Sequence, residues 1–149
     1  MYPHNNYTPL TKKALRISFE AHKDQVDKTG LPYVFHPFHL AEQMNDEATT
    51  CVALLHDVIE DTDMTFEELY KEGFTDEIIG ALKLLTHDEA VPYMEYVEAL
   101  KDNPIAAAVK RADLMHNSDL SRLDTVDEYA LERQKKYEKA LGLLDCHEK

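Results

Sequence analysis

The residues best equipped for chemistry fall in one run, Cys51 to Asp63, which reads CVALLHDVIEDTD. Cys51, Leu54, Leu55, Val58 and Ile59 recur at helical spacing, which makes one face aliphatic and leaves the polar residues on the other. His56 stands one turn before Glu60, and Asp57 one turn before Asp61, so each pair stacks on a helix face. Neutral imidazole and carboxylate are ligands for a divalent metal. Carboxylates beyond such a metal can accept and return protons. A solvated acidic helix face has the same composition, so the rest of the chain decides between the two. Upstream, His36-Pro37 follows a turn. Downstream, VKRADLMHN carries Asp113, with Lys110 one turn before it and Asn117 one turn after.

Helices must bring these residues together. Leu10 to Lys23 has apolar residues at Leu10, Ala14, Leu15, Ile17 and Ala21 and predicts a first helix. Asp24 to Phe35 contains Thr29-Gly30 and Leu31-Pro32, which predicts a loop with a turn. Pro37 suits the first turn of a helix running from His36 to about Met44. Asn45-Asp46 breaks it, and the chemically loaded helix follows from Glu47 to Ile59. Thr65 with Glu68 is a capping box for a short helix to Lys71, which Gly73 ends. Thr75 opens a helix to about His87, and Pro92 opens one carrying Met94, Val97 and Leu100. Asn103-Pro104 introduces a helix from Ile105 to about Leu120, and a last one covers Val126 to Leu144. No segment alternates as a strand does. The expected fold is therefore all-α, a single-domain bundle over residues 1–149 with irregular crossings, after a loose lead-in at 1–8.

Two His and two Asp from separate helices, namely His36, His56, Asp57 and Asp113, make a mixed N/O site for one divalent metal. Such a metal activates water and polarises a phosphoryl oxygen. Glu60 and Asp61 stand a turn beyond, where an attacking water needs a positioner and a proton acceptor. Lys110 either snorkels or meets substrate. Tyr33 and Phe35 serve either the core or a base platform. His22, His39 and His116 read as polar-face residues or as supports behind the ligands, and His4, His87 and His147 as loop or terminal residues.

The net charge of −13 argues against a general nucleic-acid or anionic-membrane binder, which needs a basic patch. A phosphate-bearing substrate must then be met by the metal and a few local cations. Cys51 lies on the apolar stripe and Cys146 near the C-terminus, which suggests free thiols in a reducing compartment. No leader sequence and no apolar run of membrane-spanning length are visible, so a cytoplasmic protein is expected.

The order His … His-Asp … Asp resembles that of HD-domain metal-dependent phosphohydrolases. YVFHP, LLHDVIEDT and VKRADLMHN are similar to the hydrolase domain of RelA/SpoT-type guanosine tetraphosphate enzymes and to the small alarmone hydrolases. The resemblance spans about Ala21 to Leu123. It implies an HD-type fold and manganese-dependent removal of pyrophosphate from the 3′ position of a guanosine nucleotide. It also implies His36, His56, Asp57 and Asp113 as metal ligands, Glu60 and Asp61 as servants of the water, and Asn117 as a nucleotide contact. Lys28 remains suited to phosphate.

The chain departs from that pattern at Asp27-Lys28-Thr29-Gly30, where the family has Arg-Lys-Ser-Gly and the Arg packs on guanine. Asp27 is expected to line the approach to the metal, offset by Lys28, and Asp27→Arg to improve use of the alarmone. Tyr93, Glu95 and Tyr96 bring no positive charge to a segment where the small hydrolases carry Lys and Arg. The alternatives are a nucleotide phosphomonoesterase or pyrophosphatase with another substrate, and a metal- or nucleotide-binding module without turnover.

Overall fold

Short polar side chains start most of the helices. In the computed structural model, which describes residues 7–145, Thr8 caps α1 (Pro9–His22). Its hydroxyl accepts from Thr11 N at 3.1 Å, and Thr11 Oγ1 accepts from Thr8 N at 2.7 Å, a reciprocal capping box. Thr8 is thus helix cap rather than lead-in, and residues 1–6 of the expected lead-in, with His4, lie outside the described residues, as do Cys146 and His147. Asp46 caps α3 (Glu47–Leu55) by accepting from Thr49 N at 2.8 Å. The capping box expected at Thr65 and Glu68 opens α5 (Phe66–Lys71).

Between α1 and α2 (Phe35–Glu42) the chain forms a loop tied by its own hydrogen bonds. Asp27 Oδ1 accepts from Thr29 N at 2.8 Å, Thr29 Oγ1 at 2.6 Å and Leu31 N at 3.1 Å. Gly30, at φ +87°, takes the left-handed conformation that closes the turn. Val26 and Pro32 form an isolated antiparallel bridge across it. The loop therefore delivers His36 to a fixed place at the start of α2.

The loaded helix is the centre of the molecule. Cys51 through Leu55 are each 0% exposed, so the second half of α3 is apolar all round and not merely along one stripe. It packs on α1, α2, α6 (Asp76–Leu85) and α8 (Pro104–Asn117). The expected continuous helix from Glu47 to Ile59 is interrupted: α3 ends at Leu55, and a short α4 (Val58–Asp61) begins after His56-Asp57. His56 Nδ1 takes the Ala53 carbonyl at 2.7 Å, the acceptor that a continuous helix would offer the Asp57 N–H.

Smaller corrections fall at helix ends. α6 stops at Leu85, not His87, because Thr86 is extended. α7 (Tyr93–Ala99) runs into a 3₁₀ turn at Leu100–Asp102. α8 stops at Asn117 rather than Leu120, which sits in a second 3₁₀ turn, Leu120–Arg122, capped by Asp119. α9 (Glu128–Asp145) begins after Asp127, whose carboxylate accepts from Ala130 N at 2.8 Å. The architecture is a single-domain, all-α irregular bundle, as the periodicity predicts. Among the described residues no helix is long and apolar enough to cross a membrane.

Candidate metal centre and its two cavities

The sequence-predicted ligands converge. The ligand atoms of His36, His56 and Asp57 all lie within 4.8 Å of one another, a triad that suits a divalent metal. His36 comes from the first turn of α2, His56-Asp57 from the break after α3, and Asp113 from α8. Asp113 Oδ1 lies 2.8 Å from His36 Nε2 and 3.6 Å from His56 Nε2. His56 Nε2 is also 3.0 Å from Asp57 Oδ2.

The protonation of the site fits a bound cation. A carbonyl can only accept, so His56 Nδ1 carries a proton toward Ala53 O. That leaves Nε2 to face Asp57 and Asp113, buried and without a hydrogen-bond partner. A lone pair facing two carboxylates requires positive charge between them, from a proton or a metal. Burial opposes charge on His56, but Asp57 and Asp113 outweigh it and hold the imidazole well above its ordinary range. Burial likewise resists ionisation of Asp57, yet His56 and the Tyr33 hydroxyl bring its carboxyl down to about 2. Asp113 sits well below the carboxylate range because Lys110, His36 and His56 overcome its burial.

Each ligand has a support. His36 Nδ1 meets His116 Nδ1 at 2.7 Å, and the rings stack 5.0 Å apart. Tyr33 donates its hydroxyl to Asp57 Oδ2. Asn117 Nδ2 donates to Asp113 Oδ1 at 3.1 Å, and Lys110 Nζ pairs with Asp113 Oδ2, also at 3.1 Å. Such partners fix orientation and tautomer. His116 was legible as a support. His22 takes the supporting place too: it lies fully buried, hydrogen-bonded to Gln25 and packed against Tyr33, 4.9 Å between ring centroids. His39 is exposed, as a polar-face residue should be.

Two cavities flank the centre. One, of about 140 Å³, is lined by His56, Asp57, Glu60, His87, Tyr93, Tyr96 and Lys110. Glu60 Oε1 accepts from His87 N at 2.7 Å. Partial burial and the Asp57 carboxylate push the Asp61 carboxyl up from its ordinary value. His87 is not simply a loop residue: it lines this cavity and packs on Tyr96 at 4.4 Å. The Tyr93–Tyr96 segment has no cation of its own, as its sequence shows, but cations stand over it. Lys110 Nζ stands 5.5 and 5.2 Å over the two rings, and Lys136 Nζ 4.2 Å over Tyr93. The cations come from α8 and α9, which no local motif announces.

The other cavity, of about 430 Å³, is lined by Val26, Asp27, Lys28, Tyr33, His36, Asn117, Arg122 and Arg133. Lys28 and Asn117 therefore share a cavity, whereas Lys110 faces the opposite one. Asp27 does line the cavity, but Lys28 is not its partner. Asp27 Oδ2 pairs with Arg122 at 3.3 Å, and its other oxygen holds the loop. Arg122 and Arg133 were missed as cavity residues, since they lie in segments that read as plain helix or turn.

No protein-family model matches the chain. It is 34% identical over 119 residues to the guanosine-3′,5′-bis(diphosphate) 3′-pyrophosphohydrolase of Aquifex aeolicus, which covers 71% of this chain and 17% of that protein. It is 30% identical over 149 residues to the GTP pyrophosphokinase of Streptomyces coelicolor, covering 91% of this chain and 17% of that protein. The chain thus spans 17% of the length of these two relatives. A solved structure, described as a metazoan ortholog of SpoT that hydrolyzes ppGpp and plays a role in starvation responses, superposes with a TM-score of 0.70. That likeness is at 25% identity and covers 97% of this chain and 85% of that one. Fold and site together define a class: the chain belongs with the HD-domain-like metal-dependent phosphohydrolases. Within that class it resembles the hydrolase domain of RelA/SpoT-type enzymes.

Proposed function

We propose that the chain is a manganese-dependent 3′-pyrophosphohydrolase of guanosine 3′,5′-bis(diphosphate). The observation that carries this reading is the convergence of His36, His56, Asp57 and Asp113 beside Glu60, with Asp61 close enough to feel the Asp57 charge. Asp113 would be the fourth ligand, since one of its oxygens already lies between the two imidazoles. A divalent ion held there supplies Lewis acidity to a phosphoryl oxygen and to water. Asp61, with its raised carboxyl, accepts the proton of the attacking water, and Glu60, steadied by His87 N, positions that water. Lys28 and Asn117 hold the nucleotide on the wider side, and Lys110 keeps Asp113 ionised on the other. The relatives named for this hydrolysis support the substrate class. The buried free thiol of Cys51 suits the reducing cytoplasm expected from the sequence.

A nucleotide phosphomonoesterase or pyrophosphatase with another substrate is the second reading, favoured by the carboxylate at Asp27. Turnover of a nucleotide panel with manganese, with the products identified, tests both. Release of pyrophosphate from guanosine 3′,5′-bis(diphosphate) is the expected result. Release of phosphate alone, or turnover only of other nucleotides, selects the second reading.

A further inference from the structure

The wider cavity carries an unusual charge for this chain. A protein with net charge −13 places Lys28, Arg122 and Arg133 around one cavity, next to His36 and Asn117. Lys28 has no ion pair among the described residues. Arg133 Nε is buried without a hydrogen-bond partner, and its guanidinium lies 4.6 Å over the Tyr129 ring. The acid closest at hand, Asp27, is spent on the loop and on Arg122. Three cations that share a single carboxylate call for a further anion.

Arg122 is the fixed member of the group. One nitrogen donates to the His116 carbonyl at 2.8 Å and another pairs with Asp27 Oδ2 at 3.3 Å. Its side chain is 17% exposed, so it is largely desolvated yet still reaches the cavity. A planar guanidinium held at two of its three nitrogens keeps its remaining N–H groups in a set direction.

We propose that the Asp27–Arg122 pair determines substrate choice: Asp27 fixes Arg122 so that, with Lys28 and Arg133, it receives the anionic group of the nucleotide that is remote from the metal, a second phosphate or diphosphate. This rests on the nucleotide reading above and adds to it a residue and a role. Asp27 is then a positioning residue, and its carboxylate assists polyanion binding by way of Arg122. The expectation that Asp27→Arg improves alarmone use reverses, because that variant unties the loop and sets two guanidinium groups against each other.

The test compares guanosine 3′,5′-bis(diphosphate) with guanosine 3′-diphosphate, which lacks the 5′ group. Arg122→Gln should lower the ratio of their kcat/KM values roughly tenfold or more, the scale of a charge-assisted hydrogen bond. Asp27→Asn keeps an oxygen for Thr29 and Leu31 but removes the ion pair, and should move the ratio the same way. Arg122→Lys should restore part of it. Equal loss on both substrates, or an unchanged ratio, overturns the inference. A binding arm needs no turnover: calorimetry of each nucleotide with His56→Ala and with the same variant also carrying Arg122→Gln. If no nucleotide is hydrolysed but preference for the 5′-diphosphate is present and depends on Arg122, the hydrolase reading falls and this one stands. If neither protein prefers the 5′-diphosphate, this one falls whatever the turnover.

Discussion

His36 and His116 face each other Nδ1 to Nδ1 at 2.7 Å, with their ring planes 11° apart. One proton must lie between the two nitrogens. Burial, together with Arg122, His36 and His39, pushes His116 down to about 4, so His116 is neutral and able to accept. His36 is then the donor at Nδ1, and its Nε2 lone pair is left for a metal.

His116→Ala should therefore weaken manganese binding about 10–100-fold, the effect of removing a partner behind a metal-bound histidine. Competition with a chelator measures it. Wild-type affinity in this variant would show that His36 is oriented by its backbone alone.

Glu60→Gln should keep the metal and the fold but lower turnover by roughly 10²–10⁴. Gln retains an oxygen for the His87 N–H, so the loop after α6 stays in place. Loss of metal, read by elemental analysis, would make Glu60 a ligand instead.

Metal loading at pH 7 should release about one proton, because His56 is held charged in the metal-free protein by Asp57 and Asp113. Calorimetry in two buffers of different ionisation enthalpy counts it. The same shift sets the pH dependence of the metal-free fold. His56 is raised above its unfolded value of about 6.5, so its contribution is fully present below that pH. It is lost as pH rises through the folded value. The Tm of metal-free protein should accordingly fall in alkaline solution, more steeply than that of manganese-loaded protein.

Cys51 should be inert. Burial, with Glu47 adding to it, pushes its thiol up to about 12. In a Cys146→Ser background, a thiol reagent at pH 8 should find no reactive group until the protein is unfolded. Rapid labelling of the native protein would place Cys51 at an open surface.

The sequence by itself determined most of the helices and some of their caps, because apolar spacing and short polar caps act over a few residues. Thr65 with Glu68 needs no tertiary partner to be read. The His36, His56 and Asp57 triad was also legible as a candidate metal site, since a His before a helix and a His-Asp pair on a later one form a spaced set that a plain acidic face does not need. Only the tertiary structure decided what surrounds them. The break at His56 depends on a side chain competing for the Ala53 carbonyl, which periodicity cannot register. The charge of the Tyr93–Tyr96 side depends on Lys110 and Lys136, on helices remote in sequence. The meaning of Asp27 turned on Arg122, 95 residues away, and no local rule can tell whether a carboxylate repels a substrate or holds the cation that attracts it.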